Sequence, residues 1–175
     1  MSEAFQARVD RLAGMHAAHG ILLDTNVLLL WLATQLHPKL IGADRLQTYT
    51  PSDALLLQEY TGRFGRILTT AHVLAESSNM VGKMVHGRLR DHFFANLFPL
   101  FCLDGESSFR QLPTIGRELD VRVFVRLGLT DAGLAALASE DCLLLTDDLD
   151  LYVAAVSKGI EALNFTHMRE AAGLL

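Results

Sequence analysis

Short, unbroken apolar runs alternate along this chain with segments of helical periodicity. Residues 3–19 place Phe5, Val9, Leu12 and Met15 three or four apart, which predicts an amphipathic helix ended by Gly20. Ile21-Leu22-Leu23 then reads as a strand, and Thr25 or Asn26 as the cap of a helix that stops before Pro38. A second such cycle follows: a helix from Ser52 to Arg63 with Asp53 in its first turn, a strand over Arg66 to Thr69, and a helix capped by Thr70 that carries His72, Leu74, Glu76 and Met80. Residues 88–98 predict a further helix, and Leu100 to Leu103 a short strand. Thr130-Asp131 opens a helix whose body is Ala132 to Ser139. Cys142 to Thr146 is a continuous apolar strand, Asp148 to Lys158 a helix closed by Gly159, and Ile160 to Asn164 a last strand. Unbroken apolar strands suit a sheet covered on both faces, and the intervening helices make it parallel, so the fold class is α/β.

Composition narrows this to one domain. A chain of 175 residues, half of them hydrophobic, fills one core and is too short for two ordinary ones. It shows no repeat and no linker. Its uncharged windows fall short of the roughly 18 residues of a membrane span, and its first ten residues do not form a signal peptide. Cys102 and Cys142 are too few and too far apart for a disulfide framework or a CxxC site, so each reads as a small buried hydrophobe of a reducing cytoplasm. The formal charge of −5 argues against a basic nucleic-acid coat. It leaves a solvated acidic surface or carboxylates gathered around a cation, and their positions decide between the two.

Two core strands run directly into acids, Leu23 into Asp24 and Thr146 into Asp147-Asp148. A single acid there is ordinarily a helix N-cap. Parallel strands point the same way, however, so both acids emerge at the carboxyl edge, where open α/β sheets form their active sites. Glu76 lies mid-helix beside an apolar stripe, where partial burial of a charge is costly without a cation or donors. Asp131 sits in a first helical turn, which the helix dipole alone would favour. Four carboxylates at one point must be neutralised, and hard oxygen donors select Mg²⁺ or Mn²⁺. Removing these four would take the formal charge from −5 to −1. Zinc is disfavoured by the scattered His and Cys. Asp147, Asp148 and Asp150 lack the Gly and Glu of an EF-hand.

These segments resemble the motifs of PIN-domain ribonucleases, including the VapC-type toxins. Ile21-Leu22-Leu23-Asp24-Thr25-Asn26 resembles the opening motif, Val73-Leu74-Ala75-Glu76 the second, Leu129-Thr130-Asp131-Ala132 the third, and Leu145-Thr146-Asp147-Asp148-Leu149-Asp150 the last. Together they span roughly residues 21–165 in order. The resemblance implies a three-layer α/β/α fold with a central parallel sheet of about five strands and the acids at its carboxyl edge. It implies Asp24, Glu76, Asp131 and Asp148 as catalytic and metal-holding acids, with Asp148 favoured over Asp147 and Asp150 as a further carboxylate. Asn26 and Thr146 would orient those acids by hydrogen bonding. It also implies a homodimer, and for a toxin an antitoxin-like partner. Residues 1–19 would be a helical extension packed on a domain of residues 20–175, and that extension and the stretch from Lys39 to Arg66 look like additions to the small toxins.

The expected activity is metal-assisted phosphodiester hydrolysis of single-stranded or loop RNA by an endoribonuclease, which needs no Ser, Cys or His nucleophile. Because the chain is acidic overall, phosphate contacts must be local. Lys83, His86, Arg88 and Arg90 follow the Glu76 helix, and Arg117, Arg122 and Arg126 precede Asp131; each is otherwise a solvated charge. His72, one turn before Glu76, reads as a phosphate contact or as a packing His. A non-catalytic RNA-binding or scaffold module on the same fold is the alternative. A haloacid-dehalogenase-like enzyme would want Asp-x-Asp where this chain has Asp24-Thr25-Asn26. A receiver-like domain would form an acyl phosphate and release no nucleotide, and a Rossmann cofactor site would need a GxGxxG after Leu23.

Overall fold

A computed structural model describes residues 3–102, 109–112, 120–138 and 142–175. Its strands are β1 (Ile21–Leu23), β2 (Ile67–Thr70), β3 (Phe109–Leu112), β4 (Leu143–Thr146) and β5 (Ala162–Asn164). The helices are α1 (Glu3–His16), α2 (Thr25–Leu36), α3 (Pro51–Thr61), α4 (Ala71–Met84), α5 (Gly87–Cys102), α6 (Val121–Leu127), α7 (Leu129–Leu137), α8 (Leu149–Ser157) and α9 (Phe165–Ala171). All strand pairings are parallel, in the order β3-β2-β1-β4-β5. Four strands, β1, β2, β4 and β5, are fully buried along their length; β3 joins them at one edge, hydrogen-bonded to β2. The protein is therefore α/β, built on a parallel sheet. Among the described residues no helix is long and apolar enough to cross a membrane.

Burial explains the elements. Ile21, Leu22, Leu23, Leu143, Leu144 and Leu145 are fully enclosed because β1 and β4 lie inside the sheet with helices around them. Helix α2 is buried from Val27 through Ala33, apolar on every side, which marks a central helix rather than a surface one. Gly20 is required where α1 meets β1: its φ is 115°, and a Cβ there would lie 3.0 Å from the Arg66 carbonyl oxygen.

Several local expectations are corrected. Asp24 itself caps α2, because its carboxylate reaches the Val27 amide, whereas Thr25 and Asn26 lie inside the helix. Helix α1 turns Phe5, Val9 and Leu12 inward as the spacing predicts, but Met15 is half exposed and Ala13 and His16 are buried in the last turns instead. Leu100 belongs to α5 rather than to a strand, since a short apolar run cannot be told from a helix end by periodicity; Leu103 lies outside the described residues. Helices α6 and α9 were not predicted. Each is seven residues long, capped by Asp120 and Asn164 respectively. Helix α1 shares one hydrophobic core with the sheet, and is tied to it by Arg8 Nη2 donating to the Ala162 carbonyl at 3.1 Å.

Candidate active site at the carboxyl edge of the sheet

The chain leaves β1 toward β2 and β3 on one side, and β4 and β5 lie on the other, so the strand order turns back between β1 and β4. A crevice opens beyond the carboxyl ends of strands at such a point. Asp24 follows β1 there, and Asp147 and Asp148 follow β4.

Asp24 is buried, at 4% exposure. Its Oδ1 accepts from the Val27 amide at 2.8 Å. Its Oδ2 accepts from the Asp147 amide at 3.0 Å and from the Thr146 hydroxyl. Burial, and then the charge of Asp147, push its pKa up to about 7 in spite of those donors. Thr146 also accepts from the Asp148 amide at 2.9 Å, so one hydroxyl fixes Asp24 and the start of α8 together. Asp147 is held in turn by Asn26 Nδ2 at 3.2 Å and by the Tyr49 hydroxyl. Tyr49 is itself buried, and burial followed by the Asp147 charge keeps its phenol protonated.

A second group lies alongside. Thr25, next to Asp24, donates its hydroxyl to Glu76 Oε2 at 2.9 Å. Asp131, half-buried in the first turn of α7, has its pKa pushed up to about 6 by burial, then by the charges of Asp148 and Glu76. Asp148 caps α8 through Oδ1, which accepts from the Leu151 amide at 2.9 Å. The charges of Asp148 and Glu76 both act on Asp131, and among the described residues none of the three acids is in an ion pair.

Asp24 and Asp148 both cap helices, the ordinary role of an acid that follows a strand. The charge of Asp147 acts on Asp24, and those of Asp148 and Glu76 act on Asp131. Among the described residues no three His, Cys, Asp or Glu side chains converge closely enough to form a metal ligand set. Asp150 stands apart: it is exposed and paired with Arg126 at 2.6 Å, which also removes Arg126 from the free cations.

Of the other basic residues, Lys83 lies exposed near the end of α4, with His86 and Arg88 exposed beyond it. Arg90 stacks over the Phe94 ring, 5.1 Å from its centroid. Arg122 is exposed on α6, and Arg117 lies outside the described residues. His72 is half-buried, and its Nδ1 has no hydrogen-bond partner among the described residues.

Tyr49, Asp147 and Thr25 are contributors that sequence reasoning did not assign. Asp147 was visible as the first acid after β4. Tyr49 gave no signal, because only the packing of the stretch between α2 and α3 brings it to Asp147. No protein-family model and no curated protein matches the chain.

Proposed function

We propose that this protein is a divalent-metal-dependent endoribonuclease of three-layer, PIN-like architecture, acting on single-stranded or loop RNA in the cytoplasm. The observation that carries this reading is the placement of half-buried Asp131 within reach of the charges of Glu76 and Asp148, acids from separate segments that have no ion pair among the described residues, beside the buried Asp24 at the turn-back of the sheet. Unpaired acids held together need a cation from elsewhere. Mg²⁺ and Mn²⁺ fit this donor set, because such ions take one or two carboxylates directly and fill their remaining positions with water and substrate phosphate. A bound ion of this kind supplies charge neutralisation at the scissile phosphate and lowers the pKa of water.

The chain's own residues set the frame for that chemistry. Asp131 and Asp148 present their carboxylates from the starts of two helices, and Thr25 fixes the rotamer of Glu76. Thr146 and the Asp147 amide hold Asp24 against rotation, while Asn26 and Tyr49 hold Asp147. Positioned groups of this kind contribute by pre-organisation, since little reorganisation is left for the reacting state. That no three His, Cys, Asp or Glu side chains form a metal ligand set among the described residues favours a second reading, a non-catalytic RNA-binding module.

Cleavage of a labelled, unstructured RNA with Mg²⁺ or Mn²⁺ separates the two. Cleavage that needs metal, stops in EDTA and is lost in both Asp24→Asn and Asp131→Asn supports the nuclease. Binding without cleavage, equal in wild type and both variants, supports the module.

A further inference from the structure

A groove of about 450 Å³ opens directly from Glu76 and runs along α4. Glu76, Asn79, Met80, Lys83 and Met84 recur at three- and four-residue spacing, so they share one face of the helix. At about 1.5 Å per residue this face is about 12 Å long, room for one or two nucleotides and not for a duplex. The opposite wall is the short 3-10 turn Asp44–Leu46, which contributes Asp44 and Arg45. That wall is packed and hydrogen-bonded: Leu46 is buried, its amide donates to the Ala43 carbonyl at 2.8 Å, and its own carbonyl accepts from Gly42 at 3.0 Å. Asp44 is also held at φ 47°, the left-handed region that a non-glycine residue enters only where its surroundings impose it.

The chemistry of the lining is specific. Arg45 and Lys83 are exposed, and among the described residues neither has an acidic partner. Met80 and Met84 supply polarisable thioethers partly buried against the core, a surface suited to the face of a base. Asn79 offers an amide able to donate to and accept from a base edge. The Asp44 carboxylate is an acceptor, which a ribose 2′-hydroxyl satisfies and a deoxyribose does not. Two free cations, an apolar floor and polar edges together match a nucleotide better than a bare phosphate or an apolar ligand.

We propose that this groove is a subsite for an unpaired nucleotide of single-stranded RNA adjoining the candidate active site at Glu76, with Arg45 and Lys83 on its phosphates and Met80 and Met84 against its base. The subsite rests on the nuclease reading for its role, yet its binding stands or falls by itself. The test is fluorescence anisotropy with a short, unstructured, fluorescein-labelled RNA, in an Asp24→Asn background that leaves the probe intact. Adding Arg45→Glu with Lys83→Glu should weaken binding roughly tenfold or more, and should flatten the salt dependence by about 1.4 in log–log slope for two lost phosphate contacts. Both side chains are exposed, so the thermal midpoint should not move. Arg66→Glu, an exposed substitution just before the amino end of β2, matches the charge change of Arg45→Glu or Lys83→Glu alone and should leave affinity within about twofold, where either groove substitution alone weakens it severalfold. Unchanged affinity in the double variant, or an equal loss in Arg66→Glu, overturns the subsite. If the groove variants lose binding while wild-type protein with Mg²⁺ or Mn²⁺ cleaves nothing, the subsite stands and the nuclease reading falls.

Discussion

Two aspartates of this protein are equally hidden from water and electrostatically opposite. Asp24 is 4% exposed and Asp53 is 0%. Each stands at the start of a helix, Asp24 as the cap of α2 and Asp53 as the reciprocal partner of Thr50 in the capping box of α3. Asp53 meets Arg169 from α9, whose Nε and Nη2 lie 2.7 and 3.1 Å from its two oxygens. Burial pulls the Asp53 carboxyl up, but the Arg169 and Thr50 hydrogen bonds outweigh it and hold the pKa below the ordinary range. Asp24 has good donors too, but burial, and then the charge of Asp147, outweigh them, so its pKa moves the other way. The same residue type at the same depth is a structural anchor where a guanidinium faces it. Where an acid faces it, the charge is uncompensated, and proteins keep such charges mainly at functional sites.

The largest effect should come from breaking the anchor. Arg169→Met leaves Asp53 buried without its cation and should cost about 3–5 kcal/mol by chemical denaturation. Adding Asp53→Asn should recover part of that loss; a double variant as unstable as Arg169→Met alone would show that the guanidinium acts through Thr48 and Tyr49, which it also touches, rather than through Asp53.

Next comes pH dependence, on the order of a few kcal/mol for Asp24 and of opposite sign for Asp53. The folded protein raises the Asp24 pKa from its ordinary 3.8 to about 7, so the native state binds the extra proton and stability falls as pH rises between those values. The depressed Asp53 contributes stability that is full above its ordinary pKa and is lost as pH falls below it. Denaturation of Asp24→Asn in EDTA should therefore show a flatter profile between about pH 4 and 7 than wild type. Parallel wild-type and variant profiles there would mean that Asp24 is not the group responsible.

Tyr49→Phe keeps the ring over which Arg169 stacks and removes only the hydroxyl that donates to Asp147. A loss of about 1.5–3 kcal/mol is expected for one hydrogen bond to a charged group, together with reduced cleavage. Smallest is the response to metal: at ten times its dissociation constant, Mg²⁺ should stabilise the wild type by about 1.4 kcal/mol. Asp131→Asn should abolish that gain while Arg169→Met keeps it, and an equal gain in both would place the cation elsewhere.

Much of this arrangement is legible from sequence where it depends on neighbours along the chain. The apolar runs of β1, β2 and β4, the acids that end β1 and β4, and Thr70 as the cap of α4 follow from local pattern; the Val73 amide does donate to Thr70 Oγ1, at 3.1 Å. Type and spacing single out Glu76 and Asp131, and in the fold the charges of Glu76 and Asp148 both act on Asp131. The same reasoning placed Asp150 with the acids, because adjacency in sequence cannot tell which face of the first turn of α8 looks toward the crevice; Asp150 faces Arg126. It also set Asp147 aside, although Asp147 is the acid beside Asp24.

The sequence by itself determined the α/β class, the place of the acids after strands, and most of the helix starts, because each rests on periodicity or on a side chain reaching an amide a few residues away. Only tertiary structure decided which buried acid has a cation. Arg169 lies 116 residues beyond Asp53, and Tyr49 lies 98 before Asp147. No local pattern encodes such pairings. They are fixed by how segments distant along the chain pack around one core, and that packing gives Asp53 a guanidinium partner and, among the described residues, Asp24 none.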